Sequence, residues 1–189
     1  YEIWTASQLK LFAETVDGLN PIVRTYAVLM DDIQLSDTGD LANWGTTPPA
    51  NAWTPIGATP TKFFLGEFEG NGHIISGLYC NSTGDYAGLF GYVSTASAIQ
   101  NVKLTNSYIK GKNYVGGICG FTPGSLTNCT SGATVIGENY VGGVCGATTA
   151  ATVISGCQNY GAVTGNERVG GIAGYSLGEI SHCSNAGTV

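Results

Sequence analysis

Val115-Gly116-Gly117-Ile118-Cys119-Gly120 recurs as Val141-Gly142-Gly143-Val144-Cys145-Gly146 and again as Val169-Gly170-Gly171-Ile172-Ala173-Gly174. A degenerate first copy stands at Ala87-Gly88-Leu89-Phe90-Gly91, and the closing glycines Gly91, Gly120, Gly146 and Gly174 follow one another at 29, 26 and 28 residues. A period in that range describes stacked units, none of which buries its apolar face without its neighbours. Architecture is therefore legible from the repeat, whereas chemistry is not.

Working outward from the glycine element, two more strand-like segments recur at matching offsets. One contains Ile99 to Val102, Leu126 to Cys129, Ile154 to Cys157 and Ile180 to Cys183; the other is centred on Tyr108, Val135, Val163 and Val189, with Gly111, Gly137 and Gly165 closing it. Three short strands per period with the same apolar character at the same offset predict an all-β fold, a parallel β-helix of about 26–29 residues per coil. The strong bias of parallel crossovers makes the expected hand right-handed. Equivalent residues should then stack along the axis, Ile118, Val144 and Ile172 in one ladder and Cys119 and Cys145 in another.

The cysteines follow the same logic. Cys129, Cys157 and Cys183 are spaced by 28 and 26 residues and so hold one repeat position. Cysteine recurring at the repeat period behaves as a small apolar residue in a stacked core. Free stacked thiols are the preferred reading over one or two bridges between coils, because strands about 4.8 Å apart place Cβ atoms awkwardly for a disulfide. Zinc is disfavoured, since no Cys-x-x-Cys or Cys/His pair has ligand spacing.

The N-terminal part reads differently. Thr5-Ala6-Ser7-Gln8 is a capping box, Leu9, Phe12, Ala13 and Val16 then share one helical face, and Gly18 follows as a stop. A helix from Thr5 to about Asp17 is expected to cap the open end of the solenoid, where core side chains and strand edges would otherwise be bare. Tyr26 to Leu35 has the composition of a strand, 36 to 62 is loop-like and holds Pro48, Pro49, Pro55 and Pro60, and Phe64 to Leu78 reads as two short strands joined by a tight turn at Gly70-Asn71-Gly72. A single domain spans 1–189: the cap at 1–18, N-terminal coils at 19–84, and the repeats at 85–189 with the last one truncated. Starting at Tyr1 and stopping inside a repeat, the chain is expected to be a piece of a longer polypeptide.

Composition excludes several classes of partner. Charged residues make up 11% of the chain and the net charge is −6, with Arg24 and Arg168 the only arginines. Nucleic-acid binding needs clustered cations, and Lys103, Lys110 and Lys112 form the longest local accumulation. No apolar run approaches the roughly 20 residues of a spanning helix, so insertion in a membrane by this segment is not expected.

In its recurring motifs the chain resembles the GLUG-motif family of bacterial surface proteins. The resemblance rests on the Gly-Leu-Phe-Gly and Gly-Gly-Ile-x-Gly elements, on Trp53-x-Pro55-Ile56-Gly57, and on Phe68-Glu69-Gly70-Asn71-Gly72-His73 before Ile75-x-Gly77-Leu78. It covers nearly the whole chain, the N-terminal Trp4-Thr5-Ala6 included. Such repeats occur in large secreted or wall-anchored proteins, in adhesin-like proteins and beside the catalytic part of IgA-cleaving metallopeptidases. The resemblance therefore implies an extracellular or cell-surface solenoid with no assigned activity. Glu69 stands where the family's box carries aspartate, which keeps the charge and leaves the residue's turn or calcium role open.

No catalytic constellation is visible. The zincin His-Glu-x-x-His motif is missing, and only His73, in a glycine turn, and His182 could serve a nucleophile. Glycoside hydrolysis needs a facing carboxylate pair, yet residues 95–189 hold only Glu138, Glu167 and Glu179. Asp37-x-x-Asp40 could hold calcium with carbonyl help, although it lacks EF-hand spacing; no other cofactor is implied. Tyr114 and Tyr140, with Arg168 next in the series, would project from adjacent coils as a ladder able to stack on a sugar or a protein partner. The expected function is a non-catalytic adhesive or spacer module facing a host glycan or matrix protein, attached to other domains of its polypeptide. A carbohydrate-active β-helix, or a scaffold for a separate enzyme domain, is the alternative.

Overall fold

The computed structural model describes residues 1–19 and 23–189; residues 20–22, within the expected N-terminal coils, lie outside that description. The protein is a parallel β-solenoid of about six turns with one N-terminal helix. Each complete coil contributes strands to four sheets. In one coil these are Ala98–Gln100, Lys103–Lys110, Asn113–Gly116 and Cys119–Thr122; in the next they are Ser125–Thr127, Thr130–Ile136, Asn139–Gly142 and Cys145–Thr148. Among the described residues the strands pair in parallel from coil to coil and, with one exception described below, equivalent residues match, as in Leu126 with Ile99 and Ile154, or Cys119 with Cys145.

Four strands per coil correct the expectation of three, and the double glycine is the reason. The chain turns a corner between Gly116 and Cys119, so the Val-Gly-Gly-Ile element divides between two sheets. At this corner one coil comes so close to the next that side chains do not fit. A Cβ on Gly117 would lie 2.0 Å from Ser131 Oγ, and one on Gly143 would lie 2.3 Å from the Asn159 side chain. The closing glycine is as confined, since a Cβ on Gly146 would meet Gly120 O at 2.4 Å and Val115 N at 2.6 Å. Space, rather than an unusual φ, selects glycine here.

The turn at Gly70-Asn71-Gly72 is likewise a corner between sheets. Gly66–Glu69 joins the seven-stranded first sheet, whereas Ile74–Ser76 joins the eight-stranded second sheet. The expected strand from Tyr26 to Leu35 is interrupted in the same way, into Thr25–Leu29 and Ile33–Gln34, one in each of these sheets. A one-residue irregularity corrects a further ladder. Thr105 pairs with Gly132 but Ser107 pairs with Ala133, leaving Asn106, at φ 44°, without a partner. Since side chains alternate along a strand, the slip exchanges inward and outward positions in the rest of the strand. Ile109, not Tyr108, stacks inside with Val135 and Val163, and Tyr108 faces outward on Tyr79. The loop from 36 to 62 covers that outer pair with Trp44, which meets Tyr79 edge-on at 5.8 Å. Val189 carries no strand and is exposed.

The helix spans Ala6–Gly18 and is capped by Thr5, whose Oγ1 accepts from the Gln8 amide at 3.2 Å. Gln8 Oε1 accepts from the Trp4 amide at 2.8 Å, one residue before the cap. Leu9, Phe12, Ala13 and Val16 are buried, with Phe12 packed against Phe64 and Phe68 of the coils beneath. One apolar cluster then runs from Ile3 to Val163, including Ile118, Cys119, Cys129, Val144, Cys145 and Cys157 with no exposed surface. Ile172 and Cys183, on the last coil, pack against it while remaining partly exposed. All six cysteines are free thiols. Burial pushes the Cys80 thiol up to about 11 and holds Cys119 well above the ordinary range. Cys129 is held up by its hydrogen bond with Cys157 and by burial; that same bond pulls Cys157 the other way.

Two outcomes are expected. In urea denaturation Gly146→Ala should lose about 3 kcal/mol from overpacking against backbone, while Gly18→Ala, with nothing within 4 Å, should hold or gain roughly 0.5 kcal/mol. Titration with a chromogenic disulfide reagent at pH 8 should modify Cys183 in the native protein and the five buried thiols only on unfolding, because the reagent reaches only a sulfur that is open to solvent.

Candidate functional site: an aromatic column along the solenoid

Tyr86, Tyr114, Tyr140 and Arg168 all adopt left-handed backbone, with φ between 55° and 63°. Each stands one residue before its repeat's first apolar position: Ala87, Val115, Val141 or Val169. Such a conformation costs an ordinary residue on the order of 1 kcal/mol or more, so the surroundings must compensate. They do so by stacking. Tyr86 and Tyr114 lie 5.0 Å apart and 6° from parallel, and Tyr114 and Tyr140 lie 4.7 Å apart at 10°. These separations match the spacing of neighbouring strands, about 4.8 Å. Arg168 closes the column with its guanidinium 4.7 Å from the Tyr140 ring, and it donates to the Tyr140 hydroxyl.

A second row of aromatics flanks the first. Tyr92 pairs in register with Phe121, and Ala147 pairs with Tyr175. Phe121 meets Tyr114 at 83°, Tyr92 meets Tyr86 at 69°, and Tyr175 meets Tyr140 at 80°, so the second row packs edge-to-face on the first. Arg168 also lies 5.1 Å over Tyr175. Both faces of Tyr114 are occupied by its neighbours, and both faces of Tyr140 by Tyr114 and Arg168. A sugar ring therefore has no face to stack on at either position. The column presents ring edges and hydroxyls instead. Desolvation, and then neighbouring tyrosines, raise the Tyr86 and Tyr114 phenols, which stay neutral donors at ordinary pH.

The glycine repeat alone does not single out Tyr86, Tyr92, Phe121 and Tyr175, although a signal is present. Tyr86 precedes the degenerate copy at the offset of Tyr114, and Tyr92, Phe121 and Tyr175 each follow a closing glycine. The divergence of the first copy hides that equivalence.

Amide ladders run along the same edges. Asn139 Nδ2 donates to Asn113 Oδ1 at 2.8 Å, and Asn113 Nδ2 donates to Asp85 Oδ1 at 2.8 Å. Asn128 donates to Asn101, and Asn101 donates to both oxygens of Glu69 at 2.9 and 3.0 Å. Glu69 also accepts from the Asn71 amide, so its carboxylate ends a ladder and fixes the corner. Inside the solenoid Asn159 donates to Asn185 at 2.8 Å.

The remaining sequence candidates lie apart from this surface. Asp37 Oδ1 accepts from the Gly39 amide and Asp40 Oδ1 accepts from Asn43 Nδ2, each within its own turn. His73 Nδ1 lies 3.3 Å from Asp32 Oδ1; the Ile74 amide, followed by His73, holds that carboxyl below its ordinary range. His182 takes a corner position equivalent to Asn128, also at positive φ, and is exposed. Glu138, Glu167 and Glu179 are all exposed. Among the described residues no three His, Cys, Asp or Glu side chains gather as a metal site, and no helix is long and apolar enough to cross a membrane.

Comparison with known proteins agrees with this geometry. Residues 165–189 match the GLUG motif. Halomucin of Haloquadratum walsbyi is 33% identical over 179 residues, 92% of this chain but 2% of halomucin. A candidate Gly-rich membrane protein of Evansella cellulosilytica is 40% identical over 63 residues, 33% of this chain and 7% of that protein. The chain thus spans only a small part of these relatives. Halomucin belongs to an archaeon, which corrects the expectation of a bacterial family alone. The crystal structure of a candidate immunoglobulin A1 protease from Bacteroides ovatus shares the fold, with a TM-score of 0.58 and 20% identity over 98% of this chain and 74% of that one. Motif, repeat and coil together make the chain a GLUG-motif β-solenoid.

Proposed function

We propose that this solenoid is a non-catalytic module of an extracellular or cell-surface protein, displaying its aromatic edge to a glycan or matrix-protein partner. The aromatic column carries the reading. Three tyrosines and an arginine occupy equivalent positions on successive coils, flanked by Tyr92, Phe121 and Tyr175 in a row that Ala147 interrupts. Stacking holds the tyrosine hydroxyls at fixed intervals before any partner arrives, and less side-chain entropy is then lost on binding. The likeness to halomucin and to a Gly-rich membrane protein supports a location at the cell surface. The low charge and lack of a cationic cluster favour a polar, uncharged partner over nucleic acid or an anionic membrane.

Retention of the purified protein on immobilised glycans and matrix proteins tests this. Tyr114→Ala combined with Tyr140→Ala should lower retention by about tenfold or more, as loss of central anchors does. Tyr114→Phe combined with Tyr140→Phe, which keeps the stack and deletes the hydroxyls, should also weaken it. Retention unaffected by either pair, or no retention on any surface, would leave the module a spacer.

A further inference from the structure

The aromatic column is closed at one end and open at the other. Arg168 covers the last ring, but Tyr86, the first ring, has only Tyr114 lying face-on against it. Its other ring partners, Tyr92 and Phe121, meet it at 69° and 78°. One face of Tyr86 therefore has no ring stacked on it, unlike Tyr114.

Tyr86 also lines a surface cavity of about 330 Å³, with Trp53, Thr54, Asn81, Ser82 and Asp85 among its walls. That volume lies at the small end of ligand pockets, about 300–1,000 Å³. Its chemistry is specific. Asp85 Oδ1 accepts from the backbone and side-chain amides of Asn113, a pairing that orients the carboxylate and leaves Oδ2 outside these bonds. Asn81 Nδ2 donates one of its two hydrogens to the Tyr79 hydroxyl, which leaves Oδ1 and the second N–H outside this bond. Thr54 and Ser82 add hydroxyls. The wall therefore combines an aromatic ring with one carboxylate acceptor and with hydroxyl and amide groups that both donate and accept.

These features select a ligand. No Lys, Arg or His lines the cavity among the described residues, and Asp85 repels anions, so uronic and sialic acids are excluded. A peptide backbone offers a carboxylate single N–H groups spaced along the chain, rather than two adjacent donors beside a flat apolar face. A neutral pyranose matches both halves of the wall. Its vicinal hydroxyls donate to a carboxylate, and its flat C–H face covers an aromatic ring. We propose that this cavity is a subsite for one neutral hexopyranose, seated on the open face of Tyr86 and held through paired hydroxyls by Asp85. The assignment deepens the display reading above and rests on it for its setting.

Saturation-transfer NMR with the methyl glycosides of glucose, galactose, mannose and N-acetylglucosamine tests the subsite directly. At least one glycoside should show transfer. Tyr86→Ala should weaken it by about tenfold, the size of one lost stacking contact. Tyr86→Phe should stay near wild type because the ring remains, and Asp85→Asn should weaken binding several-fold with the ring in place. Tyr160→Ala, an exposed tyrosine beside the second sheet, should change nothing. Thermal melting of each variant checks that it folds, and Asp85→Asn keeps the test valid if Tyr86→Ala does not. No transfer from any glycoside, or wild-type binding by both Tyr86→Ala and Asp85→Asn, overturns the proposal. Retention lost with the Tyr114 and Tyr140 pair but untouched at Tyr86 overturns the subsite alone. Transfer that depends on Tyr86, without retention on any surface, overturns the display reading alone.

Discussion

Everything in this molecule depends on coils lying one strand spacing apart in parallel register. That spacing, about 4.8 Å, is imposed by backbone hydrogen bonding between strands. It allows matching side chains to touch along the axis and leaves no room for a Cβ where the chain turns inward at Gly116-Gly117 and its copies. Sheets elsewhere tolerate unlike neighbours across a strand pair. Here each residue meets its own equivalent, so a favourable choice at one position is repeated at every turn.

The same rule governs three kinds of interaction. Apolar positions such as Ile99, Leu126 and Ile154 form ladders sealed from water. Asparagines form amide ladders because an amide both donates and accepts, and so satisfies the coil on either side. A carboxylate only accepts, which is why Glu69 and Asp85 stand at the ends of their ladders. Tyrosines stack because their rings fit the interval between coils, and this helps hold them in left-handed backbone that ordinary residues avoid. The thiols belong to the apolar group. They are packed as small core residues, and burial keeps Cys80 and Cys119 protonated and inert.

Much of the candidate site is legible in the repeat alone. Tyr114, Tyr140 and Arg168 share an offset from their glycine elements, and the offset places them on adjacent coils. What the offset does not carry is the direction of the rings. Stacking on one another uses up the faces that a sugar would have needed, and this moves the open aromatic face to Tyr86 at the column's start. The cavity beside it is out of reach of periodicity because Trp53 and Thr54 come from an irregular loop with no repeat to read. Asn106 is a similar case. A single extra residue in one coil reverses Tyr108 and Ile109, and nothing in the local composition marks it.

By itself the sequence determined the stacked architecture, the helix at its N-terminal end, the core place of the repeated cysteines and the equivalence of the tyrosine positions. Periodicity reports such features directly, because a repeated environment demands a repeated residue type. Only the tertiary structure decided the number of sheets, the register past Asn106, the covering of the ring faces and the walls of the Tyr86 cavity. Each of these depends on where a chain turns, or on contacts between a repeat and the non-repeating loop from 36 to 62. Turn geometry and long-range packing leave no period behind them.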